Sequence, residues 1–226
     1  MEKYVYTPLT ESMVYFYHMF GDIGWSIIAV TLIVKILLLP LNIKASLGAE
    51  KTQRAMKKIK PEMDTIKVKH KGNKMAEAMA MQELYKKENF NPISGLGSIL
   101  ILLLQIPVII GLYHVFNTRI DDSINHIAFN LFNIADKHIW MGILSGVSMY
   151  IMSKITFKNQ NMLGDQSETQ LAIANMMKIQ ITYIFPFVIG FSGAVLPSGI
   201  GIYFVVSNVF GILQYYVIEH FKKRLI

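Results

Sequence analysis

IGWSIIAVTLIVKILLLPL, Ile23 to Leu41, carries a single charge, Lys35, in nineteen residues. A membrane-spanning helix needs about 20 mostly apolar residues, so the stretch is long enough to cross a bilayer. A charge inside such a span marks a functional site by default, because an ammonium group at mid-membrane costs about 2.5 to 3.5 kcal/mol even on the lenient insertion scale. Something must compensate for it, such as a water-filled cavity. The competing reading is geometric. Lys35 lies six residues before Leu41, about 9 Å at helical rise, within reach of the interface by snorkelling. These residues alone leave both readings open.

The rest of the chain agrees with a membrane protein. Of 226 residues 53% are hydrophobic, 16% are charged and 14 are Met, and the mean hydropathy is +0.39. A soluble domain of this size cannot hide that much apolar surface, so the composition describes a polytopic membrane protein. The absence of Cys excludes disulfides, thiolate metal sites, a cysteine nucleophile and a lipid-modified cysteine. Residues 1–22 hold Glu2, Lys3, Glu11 and Asp22 among aromatics, without the basic start, apolar core and small-residue cleavage site of a signal peptide. The first span is expected to act as its own insertion signal.

Uncharged runs place five spans, at 23–42, 95–117, 138–156, 179–196 and 200–218. The last two come from one run, Ile179 to Ile218, divided by Pro197-Ser198-Gly199, residues that form turns. The third run is only 16 residues between Lys137 and Lys154, so those lysines are expected to snorkel or the bilayer to thin. Residues 1–22 are aromatic but too polar to span, which suits an interfacial helix on the outer surface. Trp25 and Trp140 mark the outer boundary of spans one and three. The predicted fold is therefore all-α: five transmembrane helices, a helical hairpin over 43–92, a loop over 157–178 and a short basic tail over 219–226.

Orientation follows from the basic residues, which accumulate in cytoplasmic loops. Lys44 to Lys87 carries twelve of them, Lys154, Lys158 and Lys178 follow span three, and Lys222, Lys223 and Arg224 end the chain. Only Lys3, Arg119 and Lys137 fall on the other side. The N-terminus is predicted outside and the C-terminus in the cytoplasm. The formal net charge of +7 reads as a topology signal rather than as nucleic-acid binding; a ribosome or anionic lipid is still able to use it.

Within 43–92, Met56, Ile59, Met63 and Ile66 recur at helical steps, as do Met75, Ala78, Met81 and Leu84 after Lys71-Gly72-Asn73. The pattern predicts two antiparallel amphipathic helices. Pro61 predicts a break or a fresh helix start inside the first arm. The methionines Met56, Met63, Met75 and Met81 read equally as the zipper of the hairpin and as an adaptable contact surface for varied apolar partners.

Taken in order, several short motifs resemble the YidC-type membrane protein insertases. Ser26-Ile27-Ile28, Thr31, Ile33-Val34-Lys35 and Pro40-Leu41 match the first core span. Asn91-Pro92, Gln105-Ile106-Pro107 and Leu112-Tyr113 lead into and through the second, and Phe185-Pro186, Pro197-Ser198-Gly199, Tyr203 and Val206-Ser207-Asn208 fill the last two. Each motif is weak alone; their order and spacing cover about the whole chain. The resemblance implies an insertase that needs no energy source, cofactor or metal. Five helices would surround a hydrophilic groove open to the cytoplasm and to lipid, with Lys35 as the basic residue at its floor. The cation would draw in the polar tail of a client while the client's apolar helix slides into lipid, at about 25 cal/mol per Å² of apolar area buried.

The implied groove residues are Lys35, Thr31, Gln105 and Asn208, and the implied client-sliding aromatics are Tyr203 and Phe204. Their plainer readings are a backbone bond for Thr31, glue between helices for Gln105 and Asn208, and lipid-facing packing for Tyr203. Lys35 stands where most bacterial relatives carry Arg, which keeps the charge and loses the planar five-donor fork. The implied partners are nascent membrane proteins and the bilayer, with the Sec translocon, a ribosome or the signal recognition pathway as further candidates, in a bacterial plasma membrane. The short tail argues against stable ribosome docking through it. Two rival classes fit parts of the chain. Gly190-Phe191-Ser192-Gly193 matches the motif around a rhomboid-type serine nucleophile, with His114 as the nearest base, although small-residue packing explains it more cheaply. A small transporter or channel would use Pro107 and Pro186 as helix breaks, but no internal repeat supports it.

Overall fold

Gly21 and Asp22 fix where the first long helix begins. The computed structural model of the protein describes residues 7–91, 97–117, 124–158, 176 and 178–225. Helix α1 (Thr7–Phe20) stops at Gly21, which takes φ +70°, a conformation that only glycine adopts cheaply. Asp22 Oδ1 then accepts from the backbone N–H of Gly24 (2.7 Å) and Trp25 (3.2 Å), capping α2 (Ile23–Lys69). The elements that follow are α3 (Lys74–Lys87), α4 (Gly97–Asn117), a β-hairpin (β1 Ile127–Ala128, β2 Phe132–Asn133), α5 (Ile139–Lys158), a π-helical turn (Gln180–Ile184), α6 (Phe185–Val195) and α7 (Ser198–Leu225). The fold is all-α, as expected. Three helices among the described residues are long and apolar enough to cross a membrane: α2, α5 and α7. Two shorter apolar stretches, Gln105–Phe116 and Gln180–Val195, occupy the expected second and fourth spans.

Two helices run on past the expected ends of their spans. Helix α2 runs without interruption through the boundary expected after residue 42 and through both Pro40 and Pro61, so the break predicted at Pro61 does not occur. Proline leaves one carbonyl unpaired four residues earlier; here that is Lys57, which like Pro61 is exposed, so the loss falls on the solvent side of the helix, where it is least costly. Helix α7 likewise continues past residue 218 to Leu225, so the tail expected over 219–226 is helical as far as Leu225. Its basic residues stand at a helix C-terminus, where the macrodipole favours them. The loop expected over 157–178 falls largely on residues outside those described.

The chain divides into two compact units, Met1–Leu38 with Gln105–Ile226 and Leu39–Leu104. In the second unit, Ile59, Met63, Leu84 and Phe90 are buried together with Met81 and Tyr85 against them. The reversal falls where the sequence predicts it: Gly72 takes φ +95° and the Asn73 side chain accepts from the Ala76 N–H (3.1 Å) to start α3. An exposed ion pair, Lys87 to Glu62 at 3.4 Å, bridges the arms and contributes less than about 1 kcal/mol.

In the first unit, Leu9 and Met13 of α1 join Ile23, Ile27 and Val30 of α2, Leu112, Val115 and Phe116 of α4, and Ile200, Ile202, Tyr203 and Phe204 of α7 in one apolar core. Helices α5, α6 and α7 pack through small residues, the usual route to close approach in lipid. A Cβ on Gly142 would stand 2.6 Å from the Gly190 carbonyl oxygen, and one on Gly193 2.8 Å from Ser145 Oγ. Gly190 and Gly193 of the Gly-Phe-Ser-Gly motif are thus spent on packing against α5.

At the tryptophan end, residues 124–138 before α5 form a lid of backbone hydrogen bonds that no periodicity in the sequence announces. Phe129 and Asn130 both adopt positive φ (55° and 56°), and the Leu131 N–H donates to the Ala128 carbonyl (2.9 Å), the geometry of a type I′ hairpin turn. Positive φ is costly for phenylalanine. Two contacts hold it: its N–H donates to Asp22 Oδ2 (2.6 Å), and its ring fills the space beside Gly24 against Trp25. The same segment caps α7. The N–H groups of Ser198 and Gly199 donate to the carbonyls of Asp136 (2.9 Å) and Ile134 (3.0 Å), while Ser198 Oγ donates to the Asp136 carbonyl (2.7 Å). His138 Nδ1 lies 2.8 Å from the same Oγ, and since that hydroxyl's proton is committed, the imidazole donates.

The turn that opens the fourth span is widened. Pro186 has no N–H and its ring crowds the carbonyl four residues earlier, that of Thr182. The helix answers with a longer ring, the Phe185 N–H donating to the Gln180 carbonyl, which is a π-bulge. Pro107, by contrast, sits inside α4 without ending it.

Candidate functional site

Lys35 is half-buried on α2, and its Nζ lies 5.8 Å from the centroid of the Tyr203 ring on α7. Tyr203 is only 2% exposed, so the ammonium group is turned inward against a buried aromatic face. Gln105 of α4 donates from Nε2 to the Tyr203 hydroxyl. Three helices thereby bring a cation, an amide and a phenol together, from positions 70 and 98 residues apart along the chain. Among the described residues no carboxylate pairs with Lys35.

Magnitudes say what this arrangement lacks. A cation over an aromatic face gains about 0.5 to 1 kcal/mol, up to about 2 when desolvated. The cost of a lysine within a span is about 2.5 to 3.5 kcal/mol. Tyr203 therefore offsets part of the cost, and the remainder is available to water or to an incoming anion.

The other nominated residues divide. Thr31 is buried, one turn before Lys35, and its hydroxyl donates to the Ile27 carbonyl of its own helix (2.6 Å), the plainer of its two readings. Asn208 Nδ2 donates to Ser148 Oγ (2.9 Å) and, at 3.4 Å, to the Ser145 carbonyl, both on α5. It is glue between α7 and α5 in this structure. Phe204 packs beside Tyr203, ring centroids 5.8 Å apart, and both belong to the buried core. Of the hairpin methionines, Met63 is 7% exposed in the seam and Met81 packs against that seam, whereas Met75 is 78% exposed. Met56 is exposed as well, and Met79, not nominated from the sequence, joins the open face. Ser192 is half-buried between the two packing glycines.

With this geometry in place, comparison with known proteins decides the family. The model of the 60Kd inner membrane protein family matches residues 15–224. The chain belongs to that family. Among curated relatives it is similar to the membrane protein insertase YidC of Campylobacter jejuni, 30% identical over 228 residues, covering 97% of this chain and 39% of that protein. It is also 30% identical to the membrane protein insertase MisCA of Bacillus subtilis over 226 residues, covering 96% of this chain and 78% of the relative. The chain thus spans about two fifths of the first relative and about four fifths of the second. A solved YidC insertase structure shares the fold, with a TM-score of 0.58 at 22% identity, over 93% of this chain and 45% of that one. The protease and transporter classes find no support among these matches. Family members are inner membrane proteins by description, in keeping with the long apolar helices of this chain.

Proposed function

We propose that this protein is a membrane protein insertase of the bacterial plasma membrane, not an enzyme, and that Lys35 is the group that engages the polar tail of a client. The observation that carries the reading is the inward-turned Lys35 on Tyr203, without a carboxylate partner among the described residues. An acidic tail supplies the missing anion, and release of the client's apolar helix into lipid supplies the driving force, about 25 cal/mol per Å² of apolar area removed from water. Gln105 holds the Tyr203 hydroxyl and with it the ring on which the ammonium rests. Thr31 and Asn208 support the helices that carry these groups, and Tyr203, with Phe204 packed beside it, is the aromatic wall on which the cation rests. The open methionines Met56, Met75 and Met79 offer adaptable apolar surface to a client before it enters the bilayer. Nascent membrane proteins and the bilayer are the partners this mechanism requires; a Sec translocon, a ribosome or a signal recognition pathway is compatible with it but not required.

Reconstitution tests the function. The purified protein in sealed liposomes, with no nucleotide added, is expected to make the short acidic tail of a single-span client resistant to external protease, well beyond protein-free liposomes. Equal protection in both would refute the proposal.

The proposed orientation puts the N-terminus outside and the hairpin in the cytoplasm. Because the chain has no Cys, single cysteines map it cleanly. Leu131→Cys, at the exposed tip of the β-hairpin, is expected to react with a membrane-impermeant maleimide on intact spheroplasts. Lys71→Cys, in the exposed turn of the helical hairpin, is expected to react only after lysis. The reverse pattern would invert the topology.

A further inference from the structure

A second lysine is held by aromatic rings, at the far end of α5 from Trp140. Lys154 follows Tyr150 by one helical turn, and its Nζ lies 5.3 Å from the centroid of the Tyr150 ring and 5.7 Å from that of Tyr183. The two rings are 6.2 Å apart. Tyr183 reaches this position from the widened turn Gln180–Ile184 that Pro186 enforces, so two separate elements build the clip. All three side chains are exposed, unlike the group around Lys35.

Position in the bilayer follows from helix geometry. Trp140 precedes Lys154 by 14 residues, about 21 Å along a helix. With Trp140 at one headgroup layer, Lys154 stands within a side chain's length of the other, and tyrosines belong at that level too. Exposed Val147, Ile151, Ile179 and Phe187 flank the clip, as expected of a surface bathed in acyl chains.

The charge is unbalanced. Lys154 forms no ion pair among the described residues, and exposed Lys178 lies two residues before the widened turn. Lys154 also engages the Tyr150 and Tyr183 side chains by hydrogen bonds, which leaves one of its three N–H donors for an oxygen anion. Phenol hydroxyls add two further donors. Donors on a cation, rigid aromatic walls and a station at the headgroup layer together suit a phosphate that is already anchored in the membrane.

We propose that Lys154, Tyr150 and Tyr183 form a binding site for the phosphate of an anionic phospholipid headgroup. The site is separate from Lys35 and does not depend on the insertase reading. Binding there would tie α5 to the start of the fourth span and couple the packing of these helices to the anionic lipid content of the membrane.

The test uses the full-length protein in nanodiscs of mixed phosphatidylglycerol and phosphatidylcholine, with retained lipids counted by native mass spectrometry. Wild type is expected to retain phosphatidylglycerol preferentially, and Lys154→Met to lower that preference about fivefold, the factor expected for one lysine at an anionic surface. Lys154→Arg is expected to keep the preference, and so is Lys137→Met, which removes a cation at the Trp140 end. Tyr183→Phe keeps the ring and removes one donor; it is expected to shift the preference the same way as Lys154→Met, which covers the case in which that variant does not fold. An unchanged preference in Lys154→Met, or in Tyr183→Phe if only that variant folds, overturns the proposal. So does a stability loss in Lys154→Met of equal size in discs with and without phosphatidylglycerol, which would make the clip a mere staple between helices. Retention of an acidic client peptide at Lys154 with no preference for phosphatidylglycerol would overturn it as well.

Discussion

Lys35→Ala is expected to lower insertion of an acidic-tailed client about ten- to hundredfold, the range that follows from losing one hydrogen bond to a charged partner. Lys35→Arg is expected to retain most activity, since attraction needs only the positive charge, and its forked guanidinium binds a carboxylate at least as well. The measurement is growth and client insertion in cells depleted of their own insertase, with the variants expressed at equal levels. A client with a short neutral tail should feel the alanine substitution far less. Ser192→Ala should behave as wild type, because Ser192 lies between glycines that serve helix packing and no chemistry passes through it. Equal insertion by Lys35→Ala and wild type would leave the cation without a role.

The largest structural effect is expected at Gly142. Its absent side chain lets α5 approach α6 so closely that a methyl group would meet the Gly190 carbonyl at 2.6 Å and the Ala194 N–H nitrogen at 2.8 Å. Both are backbone atoms, unable to rotate aside as a flexible side chain would. Overpacking of this kind costs about 1 to 3 kcal/mol, and for a chain of this size each kcal/mol lowers Tm by about 2 to 4 °C. Gly142→Ala should therefore lower the Tm of the purified protein by roughly 2 to 12 °C, and Gly142→Leu should fail to accumulate. Gly211 makes the informative contrast. A methyl there would meet Met152 at its terminal Cε (2.7 Å) and Sδ (2.9 Å), the far end of a side chain flexible enough to move, so Gly211→Ala should cost less than Gly142→Ala. Thermal scans in one detergent decide the order, and an equal or reversed ranking would contradict this account of the seam.

Much of the architecture was legible because lipid imposes simple rules. Runs of uncharged residues located the apolar helices, Pro197-Ser198-Gly199 located the last reversal, and Gly72 with Asn73 located the hairpin turn, each through a local property of the residues concerned. Proline was the weaker guide. Pro61 predicts a break only if the carbonyl it frees has nowhere to go, and the exposure of Lys57 is a tertiary fact that the sequence does not display. Pro186 did disturb its helix, but by widening one turn rather than ending it. The β-hairpin at 127–133 escaped notice because strands of two residues carry no periodicity to detect; the one available signal was Asn130, a residue that tolerates positive φ.

The candidate site was legible in part for a related reason. A lone charge in a span is visible in one dimension, so Lys35 was found at once. Partnership is not visible there. Sequence spacing gives no means to choose between Gln105, which reaches Tyr203, and Asn208, which reaches Ser148 across another helix pair. Both are amides in apolar helices with the same demand for a partner. The hairpin methionines behaved likewise: helical spacing identified them as a set, while the seam took Met63 and Met81 and left Met75 in the open.

The central claim is that Lys35 and an anion on the client meet during insertion, and a double-mutant cycle addresses it most directly. Insertion of a single-span client would be measured for wild type and Lys35→Glu, each with the client's tail acidic or with its acidic residues replaced by lysine. The account predicts a crossed pattern, in which Lys35→Glu loses the acidic-tailed client and gains on the basic-tailed one relative to wild type. If Lys35→Glu lowers insertion of both clients by the same factor, the charge at position 35 does not contact the tail, and the mechanism proposed here is wrong.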